Sequence, residues 1–493
     1  MPSRDGKLSH EIDPSDRGPQ DACGVLGVWA PGEDVAKLAY FGTYALQHRG
    51  QESAGIAVGD GRQIVVVKDM GLIAQVFDEA TLASLTGHVA IGHCRYSTTG
   101  SSVWANAQPT FRPTGAGGLA LAHNGNLTNT GELVGRARRA LADEVLFPAL
   151  DEESSTDTGV LTELLARGDD VVQAAVELLP DVRGAYSLVF MDETTLYAAR
   201  DPQGVRPLSL GRLDGGGWVV ASETCALDIL GAAFVRDVAP GEVVAVDEHG
   251  VRSRRFAEPE PKGCIFEYVY LARPDSVIAG RSVHATRVAI GQRLADEAPA
   301  DADMVIPTPE SGTPAAIGYA QRSGLPYGQG LTKNSYVGRT FIEPSQTIRQ
   351  LGIRLKLNPL REAIAGKRLV VVDDSIVRGN TQRAIVRMLR EAGAAEVHVR
   401  IASPPVRWPC FYGIDFASRS ELVGAGLSVE EIRASIGADS LGYISLAGLT
   451  EATTVPADRL CRACFDGQYP IPLPDENRRG KHLLETEPAG ATR

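Results

Sequence analysis

Short apolar runs separated by Gly, Asp and Asn turns follow one another from Cys23 to about residue 255. So many strand-length runs with few helical intervals predict stacked antiparallel sheets with helices on their outer faces. The interval STDTGVLTELLARG predicts one helix, because Ser and Thr supply N-cap candidates and an apolar face is formed by Val160, Leu161, Leu164 and Leu165. The predicted strands are GVLGVWA, AGIAV, QIVVVK, HVAIGH, LALAH, YSLVF, WVVAS and EVVAV.

After about residue 275 the pattern changes to strand and helix in alternation. The runs ADMVIP, KRLVVVDD and EVHVRIAS alternate with the helical patterns TPAAIGYAQRSG and TQRAIVRMLREAG. The continuous apolar run 369–372 is typical of a parallel strand buried on both faces, so this half predicts a doubly wound α/β domain. We divide the chain into a polar lead (1–22), two domains (23–255 and 256–470) and a loose C-terminal tail (471–493).

The composition predicts a soluble, acidic protein of two large domains. The chain has 493 residues, of which 43% are hydrophobic and 22% charged, as in globular proteins. No run approaches the roughly 18 apolar residues that a membrane helix needs. The net charge of -12 argues against broad nucleic-acid binding, which draws its affinity from clustered Lys and Arg. Seven cysteines without a secretion signal favour reduced thiols and a cytoplasmic location.

The stretch LVVVDDSIVRGNT has the pattern of a phosphate-binding loop. A buried strand ends at Asp373 and Asp374, a short loop contains Gly379, and a helix begins near Thr381. Backbone N–H groups and the helix dipole at such a junction favour an anionic group. Adjacent acids at the carboxyl end of a strand can bind ribose hydroxyls directly or through Mg²⁺. An ordinary strand-to-helix turn capped by acids is the alternative.

Four of the cysteines form a candidate metal site, because a close pair in CRAC and two distant single residues can supply four thiolates. Four thiolates can hold Zn²⁺ or an iron-sulfur cluster, and the spacing does not choose between them. Four buried thiols without a metal are the alternative. The residues are Cys264, Cys410, Cys461 and Cys464.

The motifs of the second half resemble those of a known enzyme family. LVVVDDSIVRGNT is similar to the signature of type I phosphoribosyltransferases, and VIPTPESGTPAAIGYA and KNSYVGRTFIEPSQTIRQ narrow the resemblance to the glutamine phosphoribosylpyrophosphate amidotransferases, over residues 23 to about 469. The resemblance implies an α+β N-terminal-nucleophile hydrolase sandwich followed by an α/β type I phosphoribosyltransferase domain. It implies the first step of de novo purine synthesis, in which ammonia from glutamine travels inside the protein to phosphoribosyl pyrophosphate and gives 5-phosphoribosylamine.

By this resemblance Cys23 is the glutaminase nucleophile and the lead is a propeptide. Read without the resemblance, a polar lead is an ordinary frayed terminus. Cleavage after Ala22 would free an α-amino group, whose reference pKa of about 7.7 to 8.0 suits a general base near neutral pH. The oxyanion-hole pair of the family matches Asn124 and Gly125 in AHNGNL, although Asn-Gly alone is also a common hairpin turn.

The resemblance also assigns the contacts to the amino-acid end of glutamine. Arg95 in GHCRYSTTG matches the clamp on the α-carboxylate, and Asp157 in SSTDTG matches the partner of the α-ammonium group. Taken singly, each residue could belong to a surface ion pair or a helix cap. Arg49 in LQHRGQESAGIAV matches a family position near the thioester site.

For phosphoribosyl pyrophosphate, the resemblance makes KNSYVGRTF a mobile loop that closes over the sugar diphosphate, with contacts from Lys333, Tyr336 and Arg339. Mg²⁺ at the leaving group would be bound, directly or through water, by Ser311, Asp373 and Asp374. The phosphate loop would contribute the remaining contacts, which are Ser375, Val377, Arg378, Gly379, Asn380 and Thr381.

The cysteine contexts KGCIFEYVY, PPVRWPCFYGID and CRACFDGQYP resemble the propeptide-bearing branch of the family, in which these positions ligate a structural 4Fe-4S cluster. The resemblance further suggests a homotetramer inhibited by purine nucleotides. The sequence leaves two rival functions open. An aminotransferase that feeds ammonia to a sugar phosphate would lack the double-acid loop, and an iron-sulfur sensor on an inactive fold would not need the catalytic residues that are retained here.

Overall fold

The structure is a computed structural model that describes residues 23–96, 102–115, 117–142, 156–334, 357–414 and 419–473 of the chain. The side chains of residues 140–142 and 420 are not part of this description. Several predictions fall outside the described residues: those for the lead, for the tail beyond residue 473, and for Tyr336 and Arg339.

Two large antiparallel sheets occupy the first half of the chain, as its pattern predicts. Strands β1, β2, β3, β4, β9, β10 and β11 form one sheet in the order β11-β9-β10-β1-β4-β2-β3, and the other sheet has the order β13-β12-β8-β7-β6-β5. The bounds are β1 (Gly24–Trp29), β2 (Ser53–Gly59), β3 (Ile64–Met70), β4 (Val89–Arg95), β5 (Thr110–Pro113), β6 (Gly118–Leu127), β7 (Gly184–Met191), β8 (Leu196–Arg200), β9 (Ser209–Arg212), β10 (Trp218–Ala221), β11 (Ala233–Asp237), β12 (Glu242–Asp247) and β13 (Gly250–Arg255).

The two sheets face each other across a shared apolar core. Val25 and Ile91 from the first sheet pack in one cluster with Ala122 and Val189 from the second. Helices cover the outer face of each sheet, so this half has four layers in the order helix, sheet, sheet, helix. The helices are Val35–Ala45, Ile73–Val76, Glu79–Ser84, Thr130–Ala142, Asp157–Leu165, Val171–Leu178 and Thr224–Ile229.

The predicted helix after residue 155 is confirmed as Asp157–Leu165. Its N-cap is Thr156, whose hydroxyl oxygen accepts a hydrogen bond from the backbone N–H of Gly159 at 3.1 Å. Val160, Leu161 and Leu165 are buried against the second sheet. The helix therefore places Asp157 at its first turn, beside strand β6.

The second half contains a four-stranded parallel sheet in the order β17-β20-β21-β22. Side chains of β20 alternate between two cores: Val370 and Val372 pack on one face of the sheet, and Leu369 and Val371 pack on the other. Because helices cover both faces, the predicted doubly wound architecture is confirmed. The bounds are β14 (Gly263–Cys264), β15 (Val277–Ile278), β16 (Arg281–Ser282), β17 (Met304–Pro307), β18 (Leu331–Lys333), β19 (Leu357–Pro359), β20 (Arg368–Asp373), β21 (Glu396–Ile401), β22 (Ser440–Tyr443) and β23 (Leu460–Cys461).

Helices of different lengths connect and cover the strands of this half. A π-helix, Glu267–Leu271, follows β14 at the junction of the two halves. The α-helices are Val283–Glu297, Thr313–Ser323, Arg361–Ile364, Asn380–Glu391, Val423–Gly426, Val429–Ile436, Leu446–Thr453 and Ala463–Asp466. None of the helices in the described ranges is both long enough and apolar enough to cross a membrane.

Buried ion pairs join the two halves. Arg49 donates from Nη2 to Glu267 at 2.6 Å and from Nε to Glu223, and Arg206 donates from Nη1 to Glu267 at 3.1 Å. All four side chains are almost completely buried. Removing one partner of such a pair leaves an uncompensated buried charge, so this network ties the first half to the π-helix of the second.

Candidate active sites

Cys23 lies immediately before β1, and its thiol is buried. Because β1 pairs with β4, with Gly24 opposite Cys94, the chain leaving β4 passes beside Cys23. The Cys23 thiol donates to the carbonyl oxygen of Tyr96 at 3.2 Å. Burial raises the pKa of this thiol to about 11, against the opposing effects of the Tyr96 hydrogen bond and of Arg95. The thiol is therefore neutral at pH 7 and needs a base to become a nucleophile.

Asn124 and Gly125 lie in the interior of β6, where Asn124 is opposite Ser187 of β7. The alternative interpretation of this pair as a hairpin turn is therefore wrong. The amide of Asn124 is fully buried, and neither its oxygen nor its nitrogen has a hydrogen-bond partner among the described residues. Gly125 has a φ of +144°, and a side chain there would lie 2.0 Å from the carbonyl oxygen of Ala185. Only glycine fits this position.

Asp157 is held by the strand that carries Asn124. Its carboxylate accepts hydrogen bonds from the backbone N–H groups of Leu127 at 3.2 Å and Thr158 at 2.8 Å, and it lies 3.6 Å from Nδ1 of His123. Burial raises the pKa of Asp157, but His123 and the backbone donors outweigh it, so the net pKa is below its usual range. A buried carboxylate that stays ionised can pair with an ammonium group.

Arg95 is buried at the end of β4, opposite Ser53 of β2. Arg95 and Asp157 both act on the pKa of Cys23, so the three side chains lie in one electrostatic neighbourhood. Their burial excludes the alternative of a surface ion pair. Arg49 directs its guanidinium into the ion pairs with Glu223 and Glu267 at the junction of the halves, and its proximity to the thioester site stays a prediction.

A cavity of about 440 Å³ adjoins the residues that flank Asp157. Its lining includes Thr156 and Gly159, together with Lys68, Trp104 and Arg112. Burial, with Arg112 and Arg95 nearby, lowers the pKa of Lys68 to about 8. The ammonium group of Lys68 donates to the carbonyl oxygen of Ala107 at 2.5 Å. Lys68 and Arg112 therefore supply the positive charges in the lining of this cavity, and Arg112 is itself paired with Glu163 at 3.1 Å.

The two acids predicted to bind ribose and metal lie together at the carboxyl end of β20. Asp373 accepts a hydrogen bond from the side-chain amide of Gln382, and its Oδ1 accepts from the backbone N–H of Asp374 at 2.9 Å. Burial and the neighbouring Asp374 raise the pKa of Asp373 well above its usual range. Burial also raises the pKa of Asp374, against hydrogen bonds from Ser311 and Ser375 and the charge of Arg287. A cation between these two carboxylates would relieve their repulsion.

Ser311 reaches this pair because the loop after β17 packs directly on β20. A side chain at Gly312 would lie 2.5 Å from the carbonyl oxygen of Val372 and 3.2 Å from Cα of Asp373. Because Gly312 has no side chain, the loop after β17 can approach the end of β20 this closely. The resulting group of Ser311, Asp373 and Asp374 offers only oxygen atoms, which Mg²⁺ prefers.

The phosphate loop has the predicted form, with the strand ending at Asp373 and the helix Asn380–Glu391 beginning after Gly379. Gly379 has a φ of +84°, which favours glycine at the N-cap. Val377 is buried, and Arg378 donates to Glu421 at 3.1 Å. Asn380 and Thr381 are exposed at the start of the helix. Lys333 is the last residue of β18, and its ammonium group lies 3.7 Å from the carboxylate of Glu310.

The four candidate cluster cysteines converge on one buried region of the second half. Cys264 and Cys461 are opposite each other in the parallel pair β14–β23. Burial raises the pKa of Cys464 well above its ordinary value, and Cys264, Cys410 and Cys461 raise it further. Burial raises the pKa of Cys264 to about 11, and the charge of Arg206 opposes this shift. In the described ranges, no three His, Cys, Asp or Glu side chains are arranged to hold a metal ion.

Three residues of these sites were not identified from the sequence. His123 lies beside Asp157, Gln382 bonds Asp373, and Arg287 acts on Asp374 while donating to the carbonyl oxygen of Tyr268 at 2.8 Å. His123 directly precedes Asn124 in the motif AHNGNL, and this position could have indicated that it belongs to the site. Gln382 stands one residue beyond the phosphate loop, whereas nothing local indicates Arg287.

Two family models match the chain in the predicted order. Residues 93–228 match a glutamine amidotransferase domain, and residues 280–402 match a phosphoribosyl transferase domain. The amidophosphoribosyltransferase of Mycobacterium tuberculosis is 68% identical over 484 residues, which cover 96% of this chain and 91% of that protein. The amidophosphoribosyltransferase of Synechococcus elongatus is 52% identical over 476 residues, with 95% of each chain covered.

Two solved structures are similar along nearly the whole chain. The glutamine phosphoribosylpyrophosphate amidotransferase from B. subtilis complexed with ADP and GMP has 44% identity and a TM-score of 0.84, covering 92% of this chain and 98% of that one. A structure of the allosteric regulatory enzyme of purine biosynthesis has 44% identity and a TM-score of 0.86, covering 94% and 99%. The predicted fold class, a hydrolase sandwich followed by a phosphoribosyltransferase domain, is confirmed, and so is the predicted activity. The chain belongs to the amidophosphoribosyltransferase family.

Proposed function

We propose that Cys23 releases ammonia from glutamine and that the Asp373–Asp374 site uses this ammonia to convert phosphoribosyl pyrophosphate to 5-phosphoribosylamine. The observation that carries the assignment is the buried amide of Asn124, which has no hydrogen-bond partner in the part of the chain that the structure describes. Leaving a buried polar group unpaired costs about 1–3 kcal/mol. The unpaired amide is explained if it donates a hydrogen bond to a substrate oxygen that becomes negatively charged during the reaction.

The first half supplies each group that amide hydrolysis needs. The thiolate of Cys23 attacks the carbonyl carbon of the glutamine side chain, and the resulting oxyanion accepts from the Asn124 amide and the Gly125 backbone N–H. The carbon–nitrogen bond then breaks, ammonia leaves with the proton taken from the thiol, and water hydrolyses the thioester to glutamate. Arg95 and Asp157, both buried near Cys23, suit the α-carboxylate and the α-ammonium group of glutamine.

Removal of residues 1–22 would supply the base that Cys23 lacks. The thiol pKa of about 11 leaves only about one molecule in ten thousand ionised at pH 7. A free α-amino group on Cys23 would be partly unprotonated at the same pH and adjacent to the sulfur atom. A peptide-bonded nitrogen cannot accept this proton. We therefore expect the uncleaved chain to be inactive in glutamine hydrolysis.

The second half binds the sugar diphosphate. Ser311, Asp373 and Asp374 would hold Mg²⁺, which neutralises charge on the pyrophosphate leaving group when bound. The backbone of the loop from Ser375 to Thr381 would bind the 5-phosphate, and Lys333 would contact the diphosphate. Ammonia attacks C1, the bond from C1 to pyrophosphate breaks, and one proton is lost from nitrogen, which gives 5-phosphoribosylamine.

A 4Fe-4S cluster is the proposed occupant of Cys264, Cys410, Cys461 and Cys464. A tetrahedral zinc site would place four sulfur atoms within about 2.3 Å of one ion, and no described group of side chains is arranged to hold a single ion. A cluster binds each thiolate at a different iron atom, and it would be held by the buried thiols of Cys264, Cys461 and Cys464 together with the partly buried Cys410. The burial of the thiols in the core indicates a structural role.

Regulation, assembly and location extend the proposal. The B. subtilis relative was solved with ADP and GMP, which supports purine nucleotides as feedback inhibitors of this chain. A homotetramer and a cytoplasmic location fit the same enzyme family. Sedimentation with and without GMP would test the assembly.

The direct test is an assay of the protein purified without oxygen. We expect glutamine hydrolysis to depend on phosphoribosyl pyrophosphate and to produce glutamate, pyrophosphate and 5-phosphoribosylamine in equal amounts. Iron content near four atoms per chain and an N-terminal residue at Cys23 are expected in the same sample. A rate of glutamine hydrolysis that is the same with and without phosphoribosyl pyrophosphate would contradict the proposal.

A further inference from the structure

Residues 411–413 of the second half lie directly against the strand that carries Asn124 and Gly125. A side chain at Gly413 would come within 2.9 Å of both Cα and the carbonyl carbon of Gly125. The side-chain amide of Asn126 donates to the carbonyl oxygen of Phe411 at 3.0 Å. The backbone of one half therefore touches the backbone of the other at the candidate oxyanion hole.

Gly125 is enclosed from two sides. On one side, a side chain at Gly125 would collide with Ala185 of β7, and on the other side Gly413 is in contact with the Gly125 backbone. Gly413 has a φ of +100°, so both its conformation and its surroundings require glycine. Packing this close leaves the Gly125 peptide group little freedom to shift when a charge develops beside it.

The segment that contacts Gly125 is itself held rigidly. The carbonyl oxygen of Tyr412 accepts from Nε and Nη2 of Arg206, at 3.0 and 2.8 Å. The Tyr412 hydroxyl donates to the carbonyl oxygen of Ile471 at 2.6 Å, and its ring is buried. The backbone N–H of Tyr412 lies 3.4 Å from Sγ of Cys410. The segment thus directly follows the candidate cluster ligand Cys410 and reaches the strand that carries Gly125.

We propose that Gly413 is a positioning residue for glutamine hydrolysis: the backbone of residues 411–413 fixes the Gly125 N–H where the oxyanion forms. The inference rests on the proposed role of Asn124 and Gly125 as the oxyanion hole. Oxyanion stabilisation acts on the transition state more than on bound glutamine. A shifted Gly125 therefore lowers kcat for glutamine and leaves KM nearly unchanged.

The first variant is Gly413→Ala, because a methyl group there presses on the Gly125 backbone. Misplacement by less than 1 Å lowers kcat for glutamine hydrolysis by about 10- to 100-fold, with KM for glutamine within about threefold of wild type. Synthesis of 5-phosphoribosylamine from added ammonia stays within about twofold. The matched control is Gly437→Ala, since Gly437 also has a positive φ, +77°, but has no atom within 4 Å of the added methyl group.

A second variant keeps the test decisive if Gly413→Ala does not fold. Asn126→Ala removes the hydrogen bond to Phe411 without adding volume, and we expect about a 3- to 10-fold fall in kcat for glutamine with ammonia-dependent synthesis retained. Iron content and melting temperature of each variant are compared with those of the Gly437→Ala control.

Glutamine hydrolysis by Gly413→Ala and Asn126→Ala within twofold of the control would overturn the inference. An equal fall in the glutamine- and ammonia-dependent activities would overturn it too, because that result marks a general structural role. Failure of the wild-type enzyme to hydrolyse glutamine, or full activity of an Asn124→Ala variant, would instead overturn the proposed oxyanion hole on which it rests.

Discussion

Replacing Asn124 with alanine should lower the rate of glutamine hydrolysis strongly while changing the free energy of unfolding little. The Asn124 amide is buried and makes no hydrogen bond to any described residue, so its removal breaks no described bond that supports the fold. Truncation loses some packing but removes an unpaired polar group, and these two opposing effects are each about 1–3 kcal/mol. We expect the free energy of unfolding of Asn124→Ala to lie within about 1 kcal/mol of wild type.

The effect on catalysis is much larger. Deleting one side-chain donor from an oxyanion hole lowers kcat by about 100- to 1,000-fold, or about 2.7–4 kcal/mol of transition-state stabilisation. Gly125 keeps its backbone N–H in the variant, which leaves residual activity. Synthesis from added ammonia uses the other half of the chain and should remain within about twofold of wild type.

Asn129 provides the matched control within the same half. It is buried like Asn124, but its amide donates to Asp181 and accepts from Arg183, both at 2.9 Å. Asn129→Ala should lose about 1–3 kcal/mol of stability and keep glutamine hydrolysis. Steady-state glutamate release and chemical denaturation of both variants give the comparison. An Asn124→Ala enzyme with kcat within fivefold of wild type would refute the reasoning.

Three further predictions follow from the geometry of the sites. Changing Asp373 and Asp374 together to Asn should weaken phosphoribosyl pyrophosphate binding at least tenfold in calorimetry, because the metal and ribose ligands are lost; unchanged affinity would count against the site. Cys461→Ser should give poorly folded protein that lacks iron absorption and retains the lead, since metal binding contributes to folding; a soluble, iron-free chain beginning at Cys23 in mass spectra would contradict this. In a chain that retains residues 1–22, alkylation of Cys23 should rise about tenfold per pH unit from pH 7 to 10, because its pKa is raised to about 11; a plateau below pH 9 would disagree.

Local patterns predicted the elements that hold the sites. All eight quoted strands of the first half are present, and the phosphate loop runs from β20 into the helix Asn380–Glu391 as expected. These elements could be predicted because the alternation of apolar and polar residues, or a continuous apolar run, indicates over a few neighbouring residues which side chains are buried. The helix Val35–Ala45 was not predicted, although an N-cap, Asp34, precedes it.

Contacts between distant residues could not be predicted in the same way. Arg49 and Glu267 are separated by 218 positions, and nothing near either residue indicates that they form a buried ion pair. The Asn124–Gly125 pair shows a related limit, since Asn-Gly favours a turn locally but pairing with β7 makes it a strand interior. Tertiary pairing overrides local preference at such positions.

Cys23→Ala tests the central claim most directly, because the nucleophile and the phosphate loop belong to different halves of the chain. The measurement is 5-phosphoribosylamine formation from glutamine and, separately, from added ammonia. The account predicts that the variant loses glutamine-dependent synthesis completely and keeps ammonia-dependent synthesis close to the wild-type rate. Loss of both activities in a well-folded Cys23→Ala protein, or retention of glutamine-dependent synthesis, would contradict a two-site enzyme with Cys23 as its nucleophile.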